Sequence, residues 1–155
     1  MKNHLAAAAL ACTCLAACTT QSEAPPVNVP FAGLEGTSWQ LVGIESMADA
    51  QPARRPDDSS KYILTFGAEG RVMARLDCNR GTGIWRNDIS NATGGTLAFG
   101  LMAVTKALCP EPTLGEVLER QLPYVRTFII RDGHLHMALM ADGGIIEWKP
   151  AKTPR

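Results

Sequence analysis

Two cysteines, two histidines and one asparagine hold most of the chemistry this 155-residue chain could perform. Cys78 beside a histidine could act as a thiol nucleophile, provided its thiolate is free and activated. His134-Leu135-His136 places two imidazoles on one face of a strand, a spacing at which a pair can grip zinc or copper. A metal centre needs a third ligand, and the sequence offers no obvious one. The expected arrangement is a solvent-facing strand edge with Leu135, Met137 and Leu139 in the core, and no cofactor. Asn79 follows Cys78 and could bind a partner, but an asparagine after a strand more commonly satisfies backbone groups in a turn. Trp39, Trp85 and Trp148 could line a ligand groove, yet tryptophans among strands more commonly pack into a core. Ser59 and Ser60 have no G-x-S-x-G context, and neither a phosphate loop nor H-E-x-x-H is present. An enzyme is the least expected function.

The compartment is written at the N-terminus. Lys2 supplies a positive start, and residues 5–17 form an apolar run of Leu, Ala, Cys and Thr that ends in Leu15-Ala16-Ala17-Cys18. The run has the length of an export signal and falls short of the roughly 20 residues that span a bilayer. Small residues before a cysteine resemble the lipobox of bacterial lipoproteins, in which the cysteine is acylated, commonly with palmitate, and the signal is removed. That resemblance implies a signal peptide over 1–17, a mature chain starting at lipidated Cys18, and a membrane partnership through the lipid alone. Multiple acyl chains hold firmly, since each buried methylene adds about 0.8 kcal/mol. Thr19 after the cysteine, rather than Asp, resembles lipoproteins sent on to the outer membrane.

Removal of the signal leaves 138 residues, with 14 basic side chains against 15 acidic ones. That balance gives no field for attracting nucleic acid. Cys12 and Cys14 leave with the signal and Cys18 takes the lipid, so Cys78 and Cys109 remain. Two cysteines in an exported domain are expected to pair, because the envelope is oxidising. The alternative is two buried free thiols. Closing a loop of about 30 residues would add roughly 3–4 kcal/mol on the chain-entropy model.

Residues 18–33 are rich in Ser, Pro, Glu, Gln and Asn and read as a flexible tether. From Leu34 to residue 150 the dominant period is two. Strands are expected over 38–44, 62–66, 71–78, 83–86, 96–99, 127–131, 134–140 and 145–149. The alternation in 71–78 puts Cys78 on the buried face with Val72, Ala74 and Leu76. The polar stretch 87–95 reads as turn, and Asp132-Gly133 is a two-residue hairpin signal. One helix interrupts: Thr113 and Glu116 have capping-box spacing, Leu114, Val117, Leu118 and Leu122 follow at helical spacing, and Pro123 ends it. The fold class is α+β and mostly antiparallel β, a curled or barrel-like sheet with one packed helix.

These residues resemble a known family. Leu34-Glu35-Gly36-Thr37-Ser38-Trp39-Gln40-Leu41 is similar to the opening L-x-G-T-x-W-x-L of the META domain, the family of HslJ-type bacterial lipoproteins. Gly70 with Asp77-Cys78-Asn79-Arg80-Gly81-Thr82-Gly83 resembles its G…G-C-N-x-x-x-G. Thr105-Lys106-Ala107-Leu108-Cys109-Pro110 resembles its T-x-x-x-C-P. Asp77 stands where the family usually has Gly. The resemblance marks Trp39, Asn79, Gly83, Thr105 and Pro110 as motif residues. It implies a small β domain without established enzymatic activity, associated with heat or envelope stress and, in other relatives, with secretion or motility. The expected function is a non-enzymatic, lipid-anchored protein on the periplasmic face of the outer membrane, with room for a periplasmic protein partner and no oligomeric state specified. The second expectation is a binding or inhibitor module for an envelope enzyme or a small apolar ligand.

Overall fold

A computed structural model describes residues 33–47, 51–91, 93–141 and 143–151. The expected signal peptide (1–17), Cys18 and all of the tether before Gly33 lie outside the described residues.

Among the described residues nine strands and one short helix follow one another: β1 Ser38–Glu45, β2 Tyr62–Phe66, β3 Arg71–Leu76, β4 Asn79–Asn91, β5 Gly94–Phe99, β6 Ala103–Val104, α1 Gly115–Gln121, β7 Val125–Arg131, β8 His134–Leu139 and β9 Ile145–Pro150. Every strand pairing is antiparallel. The sheet runs β3-β2-β1-β9-β8-β7-β5-β4-β6, and a further β3–β4 pairing closes it. The result is an eight-stranded barrel with β6 added alongside β4. Closure leaves no open sheet edge among the eight.

The alternation that predicts strands also fills the barrel. Tyr62, Leu64 and Phe66 on β2, Val72, Ala74 and Leu76 on β3, and Leu135, Met137 and Leu139 on β8 all point inward and are buried. An eight-stranded barrel is just wide enough for side chains to fill. Trp39, Trp85 and Trp148 are core residues, and Phe66 meets Trp85 edge-on at 4.9 Å. The barrel interior is therefore packed, which removes the reading of a tryptophan-lined groove.

Asp132 (φ 54°) and Gly133 (φ 75°) make the two-residue β7–β8 turn with both residues left-handed, as the Asp-Gly pair predicts. Elsewhere the structure corrects the expectation. β3 stops at Leu76, because Asp77 takes φ 63° and a two-residue turn joins Leu76 to Asn79. The turn breaks the alternation, so Asp77 is buried and Cys78 is exposed, the reverse of the period-two reading. β4 runs through most of the stretch expected to be turn and reaches Asn91.

Helix α1 packs Leu118 into the core, and Leu122 is buried in the 3-10 turn Leu122–Tyr124 that contains Pro123. The expected capping box does not form. The hydroxyl of Tyr62 accepts the Leu114 N–H at 3.0 Å, so the helix starts only at Gly115. The Thr113 hydroxyl accepts from the Gly115 N–H, while Glu111 rather than Glu116 accepts from the Thr113 N–H. Glu116 instead lies 3.5 Å from Arg120.

Candidate functional site

The motif residues gather at the two ends of the barrel. At the helix end, β5 and β6 run along β4 as one interrupted strand. Trp85 pairs with Phe99, and Thr82 with Ala103, so the register slips by one residue across 100–102. Gly83 makes room for this step: a Cβ there would sit 3.0 Å from the Leu101 carbonyl oxygen and 3.3 Å from Met102 Cα. The ladder continues past β6. The Thr105 N–H donates to the Arg80 carbonyl, and the Arg80 N–H donates to the Thr105 hydroxyl oxygen, each at 3.0 Å.

Asn79 then acts as an extra peptide unit. Its Oδ1 accepts from the Ala107 N–H (2.8 Å) and the Thr105 hydroxyl (2.9 Å), and its Nδ2 donates to the Ala107 carbonyl (3.0 Å). The Nδ2 also lies 3.3 Å from Cys109 Sγ. Next to it, Cys78 and Cys109 are joined by a disulfide with Cα atoms 5.6 Å apart, an ordinary span for such a bond. Pro110 follows on the exposed surface. Thus Cys78, Asn79, Thr105 and Cys109 form one clasp that ties the β3–β4 turn to the 100–110 segment. The sequence predicts a turn asparagine serving nearby backbone groups; Asn79 is instead the first residue of β4, and its partners are 26 to 30 residues away. No local sequence signal points to Ala107; only the co-occurrence of the two motifs does.

A cavity of about 190 Å³ lies between the clasp and α1, walled by Leu76, Asn79, Val104, Leu108 and Gly115, with the 2.6 Å Lys106–Glu119 ion pair at its side. That is below the size range of small-molecule sites.

Asp77 is the family departure, and its surroundings explain the usual glycine. It is 5 % exposed, in a left-handed conformation that favours glycine. One carboxylate oxygen is 3.6 Å from Lys61 Nζ, and the other has no hydrogen-bond partner in the structure. Nearby, Asp58 caps the 3-10 turn Ser59–Lys61, and the hydrogen bonds it accepts from Ser60 hold its carboxyl below the usual aspartate range. Relief of backbone strain (about 1–2 kcal/mol) and of an unpaired oxygen (about 1–3) outweighs a half-exposed ion pair (up to about 1) and the added freedom of glycine when unfolded (about 0.5–1). Asp77→Gly is therefore expected to stabilise the domain by about 1 kcal/mol. A lower melting temperature for this variant would show that the Lys61 pair dominates.

At the opposite end, Leu34 is fully buried and plugs the barrel. Its carbonyl accepts from both the N–H and the hydroxyl of Thr37. The Thr37 hydroxyl oxygen in turn accepts from the Trp39 indole at 2.7 Å. Gly36 N–H to Phe66 O (2.7 Å) and Phe66 N–H to Thr37 O (2.9 Å) fasten this entry segment to β2.

His134 and His136 lie on the outer face of β8, with ring centroids 6.4 Å apart. His134 Nδ1 is 2.6 Å from Glu147 Oε1 on β9. Among the described residues no group of three His, Cys, Asp or Glu side chains is placed to hold a metal ion.

Comparison with known proteins agrees with this architecture. An NMR structure of a protein from Burkholderia xenovorans superposes with a TM-score of 0.60 at 16 % identity, covering 99 % of this chain and 100 % of that one. The crystal structure of a DUF4847 family protein from Bacteroides vulgatus ATCC 8482 superposes with a TM-score of 0.55 at 14 % identity, over 78 % of this chain and 96 % of that one. At these identities the likeness is one of fold. No curated protein sequence matches the chain. The sequence profile of the META domain covers residues 32–152, which include the clasp, the entry segment and the nine strands described, and the chain belongs to the META domain family.

Proposed function

We propose that the protein is a lipid-anchored envelope protein on the periplasmic face of the outer membrane, acting without catalysis in heat or envelope stress or in envelope maintenance. The observation that carries this reading is the engagement of the reactive-type residues in structure. Cys78 and Cys109 are oxidised to one bond, and the Asn79 amide is taken up by Ala107 and Thr105. A thiol nucleophile needs a free thiolate. The Leu15-Ala16-Ala17-Cys18 lipobox supports the anchor, and Thr19 supports the outer membrane.

Cys18→Ala is expected to move the protein from the membrane pellet to the soluble fraction. A variant that still sediments fully with membranes would refute the anchor. Deletion of the protein is expected to raise sensitivity to heat or detergent, and unchanged survival would remove the stress role.

One observation favours the second reading, a binding module. Leu101 and Leu108 are 99 % and 98 % exposed on the clasp segment, and Met73 and Ile84 are exposed on β3 and β4. Contiguous apolar surface marks protein contact sites, and Met73 and Ile84 line one shallow cavity together. Because the barrel interior is filled, the binding would be on the outside. Cross-linking from position 101 in intact cells would capture a periplasmic protein on this reading, and only lipid or solvent otherwise.

A further inference from the structure

We propose that His134 and His136 bind one divalent, imidazole-preferring transition-metal ion on the outer face of the barrel, with Glu147 holding His134 from behind. The sequence leaves this histidine pair without a partner. The β8–β9 register supplies one, because Glu147 is directly opposite His136 and its carboxylate oxygen is 2.6 Å from His134 Nδ1. A carboxylate accepting from Nδ1–H fixes the tautomer and leaves Nε2 with its lone pair available, the arrangement that orients metal-bound histidines.

The scaffold already places both rings. Alternation on β8 sends Leu135 and Met137 into the core and both imidazoles to the same outer side, with ring planes tilted by 32°. An ion with bonds of about 2.0–2.1 Å to two ring nitrogens holds the ring centroids between roughly 5 Å (adjacent ligands) and roughly 6.4 Å (opposed ligands). The observed 6.4 Å is at the open limit of that range, so occupancy requires the two rings to turn toward one another. The strand beneath is held in place, since β8 is paired on both sides. Water would complete the coordination, so the ion would rest on two protein ligands. Arg131, opposite His134 on β7, and Lys149, two residues from Glu147 on β9, add positive charge and set the affinity below that of a buried three-ligand centre. Stability with nitrogen ligands follows Ni²⁺ < Cu²⁺ > Zn²⁺, so Cu²⁺ is the tightest occupant.

The test is clean because the chain has three histidines and the third, His4, lies in the signal. The mature protein, purified without a histidine tag, is titrated with Cu²⁺ and with Zn²⁺ by calorimetry, and the Cu²⁺ form is read by electron paramagnetic resonance. The expected result is one Cu²⁺ per chain with two imidazole nitrogens in the spectrum and weaker Zn²⁺ binding. Glu147→Gln is expected to lower Cu²⁺ affinity about tenfold or more at an unchanged melting temperature. Lys149→Ala, which removes a competing cation, is expected to tighten it. A His134→Ala/His136→Ala double variant that binds Cu²⁺ as well as the parent would overturn the proposal. So would a parent protein whose spectrum shows no imidazole nitrogen.

Discussion

Cys78→Ser and Cys109→Ser should each lower the unfolding free energy by about 3–4 kcal/mol, and the double variant should cost no more than either single one. The bond spans a sequence separation of 31 residues, so its loss restores the freedom of a long loop to the unfolded chain. In the folded state little changes, because Asn79 still holds Ala107 and Thr105. The effect should therefore appear as a shift in urea midpoint, and a drop in melting temperature of roughly 10 °C or more. Two single variants with very different losses would show that the cysteines act separately and that the clasp is not a unit.

Leu34→Ala should cost about 3–4 kcal/mol, within the range of buried leucine truncations. Leu34 is fully buried, and its backbone is fixed by the Thr37 hydrogen bonds, so the site cannot easily collapse around a smaller side chain. The variant keeps the backbone carbonyl that accepts from Thr37, so the hydrogen bond from the Trp39 indole to the Thr37 hydroxyl oxygen is expected to persist beside the new cavity. Near-ultraviolet circular dichroism should report the tryptophan environment along with the stability. A variant as stable as the parent would mean that the entry segment is an appendage and the barrel end is sealed without it.

How far the sequence foretold this molecule depended on whether a residue obeys its own strand. β2 and β8 obey it, and their inward faces follow from period-two spacing. Cys78 does not, because the left-handed Asp77 turns the chain one residue early. No hydrophobic pattern carries that information, although the family's glycine at this position hints at it. The stretch 87–95 reads as turn because it is polar and glycine-rich. In the structure Gly95 instead permits close pairing, since a Cβ there would lie 2.0 Å from the Asp88 carbonyl oxygen. Asn79 and Ala107 meet only once β4 and the 94–105 segment are aligned, and His134 and Glu147 only once the β8–β9 register is known. Side-chain partners across strands depend on register, which sequence pattern fixes only near tight turns.

The central claim is an exported lipoprotein whose two remaining cysteines serve structure. Its most direct test is the intact mass of the protein extracted from membranes without reduction. The account predicts a chain beginning at acylated Cys18 and lighter by two hydrogens for the Cys78–Cys109 bond. An unlipidated chain, or one carrying two free thiols, would contradict it and return Cys78 to the list of reactive groups.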